Sequence, residues 1–245
     1  MSLFKKDIFG RSYFIKRWVI RIIGLLSYRR FKGINSLKIT GTKNLKNLPN
    51  NNVLFISNHQ TYFADATAII HVINASLKGR NDNINNIGYI WRPMLNLYFI
   101  AAKETMNNGL LPKILSYAGS IPIERTWRSN GENLKRPVNK DNIKSIDLAL
   151  KDGWVITFPQ GTTTAWKPVR KGTAHMIIKN KPMVIPIVID GFRRSFDKKG
   201  LVLKKRGSIQ KMNIKSPMKI NYEKDSVEKL VEEIEMAIEQ HHTNQ

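Results

Sequence analysis

The stretch "NVLFISNHQTYFADATAIIHVINASL", Asn52 to Leu77, decides how this chain is read. Its opening "NVLFIS" reads as a buried strand, and "ADATAIIHVINASL" reads as a helix. The ten residues "SNHQTYFADA", Ser57 to Ala66, therefore sit at a strand exit. A histidine there, His59, with Asp65 six positions later, is either a base with its orienter or a helix start that happens to contain both.

The same alternation runs outward in both directions. Upstream, "INSLKITGTKNLKNLPNN" reads as a short strand and a turn. Downstream, "IGYIW" reads as a strand, and "PMLNLYFIAAKE" opens a helix with Pro93 at an allowed early position. "LLPKILSYAG" is a short helix ending at Gly119, and "SIPIER" a strand leading into the polar loop Thr126 to Asn142. "NIKSIDLALKDG" is a helix closed by Gly153, followed by the strand "WVITF", the helix "TAHMIIKN" and the strand "MVIPIVI", which Pro186 interrupts. At the end, Asp225 and Glu228 have capping-box spacing before the stripe Val227, Leu230, Val231, Ile234 and Ile238. This pattern predicts an α/β fold, a mainly parallel or mixed sheet flanked by helices.

Composition narrows the partners. The chain has 245 residues, 41 Lys and Arg against 18 Asp and Glu, a formal charge of +23 and no cysteine. Seven of the acids fall in the last 25 residues, so the body is more basic still. Such a field favours anionic partners, and the missing cysteines exclude disulfides and thiolate metal sites. Residues 1–35 read as an amphipathic membrane-associating helical segment, ahead of an α/β domain over 36–245. Phe14, Trp18, Ile22, Leu25 and Leu26 share one side, with Arg17 and Arg21 on another. The competing reading is a helix packed on the domain with a solvated basic face. Charges interrupt every run approaching the ~20 apolar residues of a membrane span, and no signal-peptide cleavage site follows.

Four segments follow the ends of expected strands, where α/β sheets place their sites. They are "NHQTYFAD" from Asn58, "GSIPIERTWR" from Gly119, "TFPQGTTTAW" from Thr157 and "MVIPIVIDG" from Met183. A single His-x(5)-Asp is weak, but the four in order are specific as a set. Together they resemble the glycerolipid acyltransferases of the lysophosphatidic acid acyltransferase type. The blocks of that family run Asn-His-x(4)-Asp, Gly-x-Ile-x-Ile-x-Arg, Phe-Pro-Glu-Gly-Thr-Arg and Val-Pro-Ile/Val. "AKET" at Ala102 and "VRKG" at Val169 match the family's flanks.

The resemblance implies an O-acyltransferase acting on a lyso-lipid, with lysophosphatidic acid as acceptor and phosphatidic acid as product. His59 is implied as general base and Asp65 as its orienter. Arg125 is implied to hold the substrate phosphate, with Asn58, Glu124, Gln160, Gly161, Thr162, Thr163 and Lys171 completing the substrate set. The donor is an acyl carrier protein or coenzyme A thioester, and neither cofactor nor metal is implied. The protein is expected as a peripheral membrane protein on the cytoplasmic face of an anionic membrane.

Three departures from the family pattern matter. The His-Asp spacing is one residue longer, and on a regular helix that turns Asp65 about 100° away. A looped start after Gln60 restores it; otherwise Tyr62 or Thr61 is the ring's partner. Gln160 stands where the family has glutamate and Thr163 where it has arginine, with Lys167, Arg170 and Lys171 as nearby replacement cations. Glu124 directly precedes Arg125, so a salt bridge is the alternative role for that arginine. The altered third block motivates a second acceptor class, a lyso-aminolipid of ornithine or glycine type. A rival class, a basic nucleic-acid-binding protein, rests on the +23 charge and the interleaved Trp, Tyr and Phe; the basic residues are spread through the chain and no recognition motif accompanies them.

Overall fold

The computed structural model describes residues 5–107, 109–124, 128–129, 132–133 and 140–241. Most of the loop expected between 126 and 142 lies outside them, as does Arg125.

The chain opens with helix α1 (Tyr13–Phe31) and strand β1 (Ser36–Thr40), then β2 (Val53–Ser57) and α2 (Ala64–Ser76). β3 (Leu97–Ala102) runs into α3 (Lys103–Asn107), followed by α4 (Leu110–Ser116) and β4 (Ser120–Ile123). A small ribbon of β5 (Arg128–Ser129) and β6 (Glu132–Asn133) precedes α5 (Lys140–Asp152) and β7 (Trp154–Thr157). Then come α6 (Lys171–Asn180), β8 (Met183–Asp190), α7 (Phe192–Ser195), β9 (Ile209–Ile214) and α8 (Val227–Ala237).

Seven strands form one mixed sheet in the order β1-β9-β8-β2-β7-β3-β4. Every neighbouring pair is parallel except β8 with β9. β2 is fully buried along its length, which is why it reads as an unbroken apolar run. Its side chains alternate between two cores. Val53 and Phe55 join Ile20 and Phe31 of α1 and Ile69 and Ile73 of α2. Leu54 and Ile56 join Leu150 of α5, Ile177 of α6 and Ile234 of α8. The result is three layers, helices on both faces of a sheet.

Several elements differ from the sequence reading. Ile87–Trp91 is a 3-10 helix rather than a strand. The helix expected from Pro93 is strand β3, whose Leu97 and Phe99 face one core while Tyr98 faces the other. β8 continues through Pro186, with β9 joining it only from Ile187 onward. β9 itself is an additional strand. The cap of α8 is Ser226, whose side chain accepts from the Lys229 amide; Asp225 instead pairs with Lys229 Nζ.

Helix α1 packs one side on the domain and leaves the other exposed. Lys16, Ile20, Gly24 and Phe31 are buried against the domain, while Phe14, Trp18, Ile22, Leu25 and Leu26 face outward. Arg21 stacks between Trp18 and Trp91 and donates to the Trp91 carbonyl. Among the described residues, no helix is long and apolar enough to cross a membrane.

Candidate active site

The parallel strands β2, β7, β3 and β4 all release their chain at one edge of the sheet, and the cleft lies there. β2 ends at Ser57, and the next residue ties the exit down. Asn58 Nδ2 donates to the Ile189 carbonyl at 2.9 Å, and Asn58 Oδ1 accepts from the Ile189 amide at 2.8 Å. This two-way clamp extends the β2–β8 ladder through a side chain, so Asn58 fixes where His59 emerges.

The six residues from Asn58 to Phe63 are not helical, and α2 begins at Ala64. That looped start absorbs the additional residue. His59 Nδ1 lies 2.9 Å from Asp65 Oδ2, with Asp65 fully buried and the His59 side chain 13% exposed. The same carboxylate collects the backbone amides of Gln60 and Thr61, while its Oδ1 accepts from Thr61 Oγ1 at 2.6 Å. An acceptor so loaded is a carboxylate, and it can take only a proton-bearing Nδ1. That leaves the Nε2 lone pair open to accept a proton. Thr61 supports the carboxylate, and the Tyr62 ring stands 6.5 Å from that of His59.

Phe158, at the exit of β7, stacks on the His59 ring at 3.9 Å between centroids and 18° between planes. Phe158 fixes the imidazole face that the hydrogen bond leaves free to rotate. The sequence showed this phenylalanine inside a quoted block but gave no signal of its partner.

His59 lines an open cleft at these strand exits. Apolar side chains dominate the walls: Phe99 and Ile100 of β3, Ile143 and Ile146 of α5, Met176 of α6. Glu124, Gly161 and Thr162 also line it. Gly161 has φ +65°, and its amide closes a turn on the Phe158 carbonyl at 2.9 Å. Glu124 pairs with Lys103 at 2.9 Å.

The other implied site residues lie elsewhere. Gln160 is buried with Nε2 on the Lys167 carbonyl at 2.8 Å and on Gln240 Oε1, pointing away from the cleft. Its Oε1 has no protein partner. Thr163 is buried too, and its carbonyl accepts from Arg193 at 2.6 Å. Lys171 is exposed on α6 and pairs with Glu228 at 2.7 Å. Of the downstream cations, Arg170 lines the cleft, its amide on the Pro159 carbonyl.

The fold is α/β, and at its strand exits a histidine held by a buried carboxylate opens onto a largely apolar cleft. The family model described as Acyltransferase matches residues 36–190, more than half of the chain, and the protein belongs to that family. It is an acyltransferase, as the four blocks led one to expect. Its fold is similar to the crystal structure of the 1-acyl-sn-glycerophosphate (LPA) acyltransferase PlsC from Thermotoga maritima. The two share 17% identity, with 92% of this chain and 79% of that one covered at a TM-score of 0.54. No curated protein matches the sequence.

Proposed function

We propose that the protein transfers a fatty acyl group from an acyl carrier protein or coenzyme A thioester to the free hydroxyl of 1-acyl-sn-glycerol 3-phosphate. The observation that carries this reading is the His59–Asp65 pair opening onto an apolar cleft. His59 Nε2 takes the proton of the acceptor hydroxyl as its oxygen attacks the thioester carbonyl. Asp65 stabilises the imidazolium that results. The tetrahedral adduct collapses by breaking the carbon–sulfur bond, and the imidazolium returns its proton to the leaving thiolate. The walls of Phe99, Ile100, Ile146 and Met176 suit an acyl chain. That the fold neighbour is an LPA acyltransferase supports this acceptor.

The same proposal seats the protein peripherally on the cytoplasmic face of an anionic membrane. Ile22 and Leu26 on the outer face of α1 are 52% and 71% exposed, beside the Trp18–Arg21–Trp91 stack. Apolar and aromatic side chains flanked by arginine are what an interfacial helix presents to lipid headgroups.

The test is the purified protein with palmitoyl thioester and a panel of lyso-lipids, read by mass spectrometry. Acyl transfer to lysophosphatidic acid, reduced ~100-fold or more in a folded His59→Ala variant, is the expected result. A folded variant retaining more than about a tenth of the rate removes His59 as the base. A lyso-aminolipid ranking above lysophosphatidic acid overturns the acceptor.

A further inference from the structure

The segment after β8 wraps the catalytic loop. The Tyr62 and Phe63 amides donate to the carbonyls of Lys198 and Lys199 at 3.1 and 2.9 Å. Gly200, at φ +77°, packs so closely that an added Cβ would stand 2.6 Å from the Ala64 nitrogen. The Arg193 amide donates to Gln60 Oε1 at 3.1 Å, and Gln60 Nε2 reaches the Ile189 carbonyl. These contacts hold the segment against the residues flanking His59.

Between this segment and the third block lies a second open groove, lined by Gln60, Thr163, Thr164, Arg193, Lys198 and Lys204. It backs onto the catalytic cleft, because Gly161 and Thr162 line one concavity and Thr163 and Thr164 the other. Its charge is set by three cations and Asp197. Asp197 spends its Oδ1 on the amides of Leu201 and Val202 within its own loop, at 2.8 and 2.9 Å. Among the described residues, Arg193, Lys198 and Lys204 form no ion pair, although Arg194 beside them pairs with Asp190. Lys198 Nζ has only the Tyr62 ring, 6.0 Å away. Arg193 donates to the Thr163 carbonyl at 2.6 Å, so a guanidinium lies beside the residue at which the third block lacks its arginine.

Resting on the acyltransferase reading, we propose that the groove of Arg193, Lys198 and Lys204 binds a phosphate group of one of the two substrates. The guanidinium from after β8 takes the place of the cation missing at position 163. A phosphate monoester carries close to two negative charges and several acceptor oxygens, which three donors around one concavity match. Two sources present that chemistry: the acceptor's glycerol phosphate, close to its reacting hydroxyl, and the phosphates of the thioester carrier, a pantetheine arm away from the thioester.

The test is calorimetric titration of the full chain with glycerol 3-phosphate and, separately, with adenosine 3′,5′-bisphosphate at low salt. Wild type is compared with Lys198→Gln/Lys204→Gln, which removes two exposed cations without touching the fold's hydrogen bonds. Arg193→Gln is the third protein, its fold checked by circular dichroism because Thr163 loses a donor. Loss of charge-assisted contacts predicts at least tenfold weaker binding of one ligand in the double variant. Glycerol 3-phosphate as the affected ligand assigns the groove to the acceptor headgroup; the bisphosphate assigns it to the donor. Equal binding of both ligands by wild type and double variant, or no binding by wild type, overturns the proposal. Failure of acyl transfer in the lyso-lipid panel would strike the proposed function and leave this binding result standing.

Discussion

Asp65→Asn isolates what the carboxylate's charge does. Removing the side chain altogether would strand the amides of Gln60 and Thr61, Thr61 Oγ1 and His59 Nδ1 in a largely buried site, at about 1–3 kcal/mol each. Asparagine avoids this. Its oxygen takes the place of Oδ2 and keeps three donors, while its amide nitrogen faces the Thr61 hydroxyl, which turns to accept. Geometry is kept, and the negative charge 2.9 Å from the ring is lost. The imidazolium formed during transfer then loses a charge-assisted partner, worth ~1.5–3 kcal/mol, or roughly 10- to 150-fold in rate. The assay is thiol release from palmitoyl thioester at saturating acceptor, with a melting curve for each protein. Expected is a drop in kcat of that size, with KM for the acceptor near wild type and the melting midpoint within a few degrees. A kcat within threefold of wild type in a folded variant would refute Asp65 as stabiliser, and a change confined to KM would move it to substrate binding.

The remaining predictions concern stability and the membrane. An added Cβ at Gly153 would run into the Asn96 carbonyl, so Gly153→Ala is expected to cost about 3 kcal/mol in urea unfolding, near the top of the overpacking range. His71 is buried, with Nε2 2.9 Å from Ser27 Oγ and Nδ1 2.7 Å from the Tyr89 hydroxyl, and burial lowers its pKa from 6.5 to about 4. Between those values the unfolded chain holds a proton that the folded chain does not, so stability rises with pH through that window. Wild type should lose roughly 3 kcal/mol between pH 7 and pH 4 on this account, and His71→Gln should show a correspondingly flatter melting series. Trp18→Ser with Leu26→Ser should release the protein from anionic vesicles without unfolding it. Deleting α1 is the wrong test, because Ile20 and Phe31 belong to the core. Vesicle sedimentation unchanged by the two substitutions would assign membrane binding to the basic body.

Some of this protein was legible in the residues alone. β2, β7 and β8 are parallel strands covered on both faces, so they read as apolar runs, and the helices after them end at polar or glycine stops. The α/β fold and the four strand exits followed from that, and the resemblance of the blocks at those exits singled out His59 and Asp65. β3 did not, because its strand runs straight into α3 with no turn residue between them, so the two periods merge into one apparent helix. β9 was silent for another reason. Its inward positions are Gln210, Met212 and Ile214 and its outward ones Ile209, Lys211 and Asn213, and a buried glutamine with an exposed isoleucine erases the alternation. The sequence offered His59 and Asp65 as a candidate pair. Only the folded loop from Asn58 to Phe63 decided that they meet across one residue too many. Arg193 is the extreme case. It stands thirty positions from Thr163, and nothing local announces their contact. Periodicity reports the side of an element a residue occupies. Which residue of a distant loop it meets is set by the packing of the sheet and its exits, and that exists only in three dimensions.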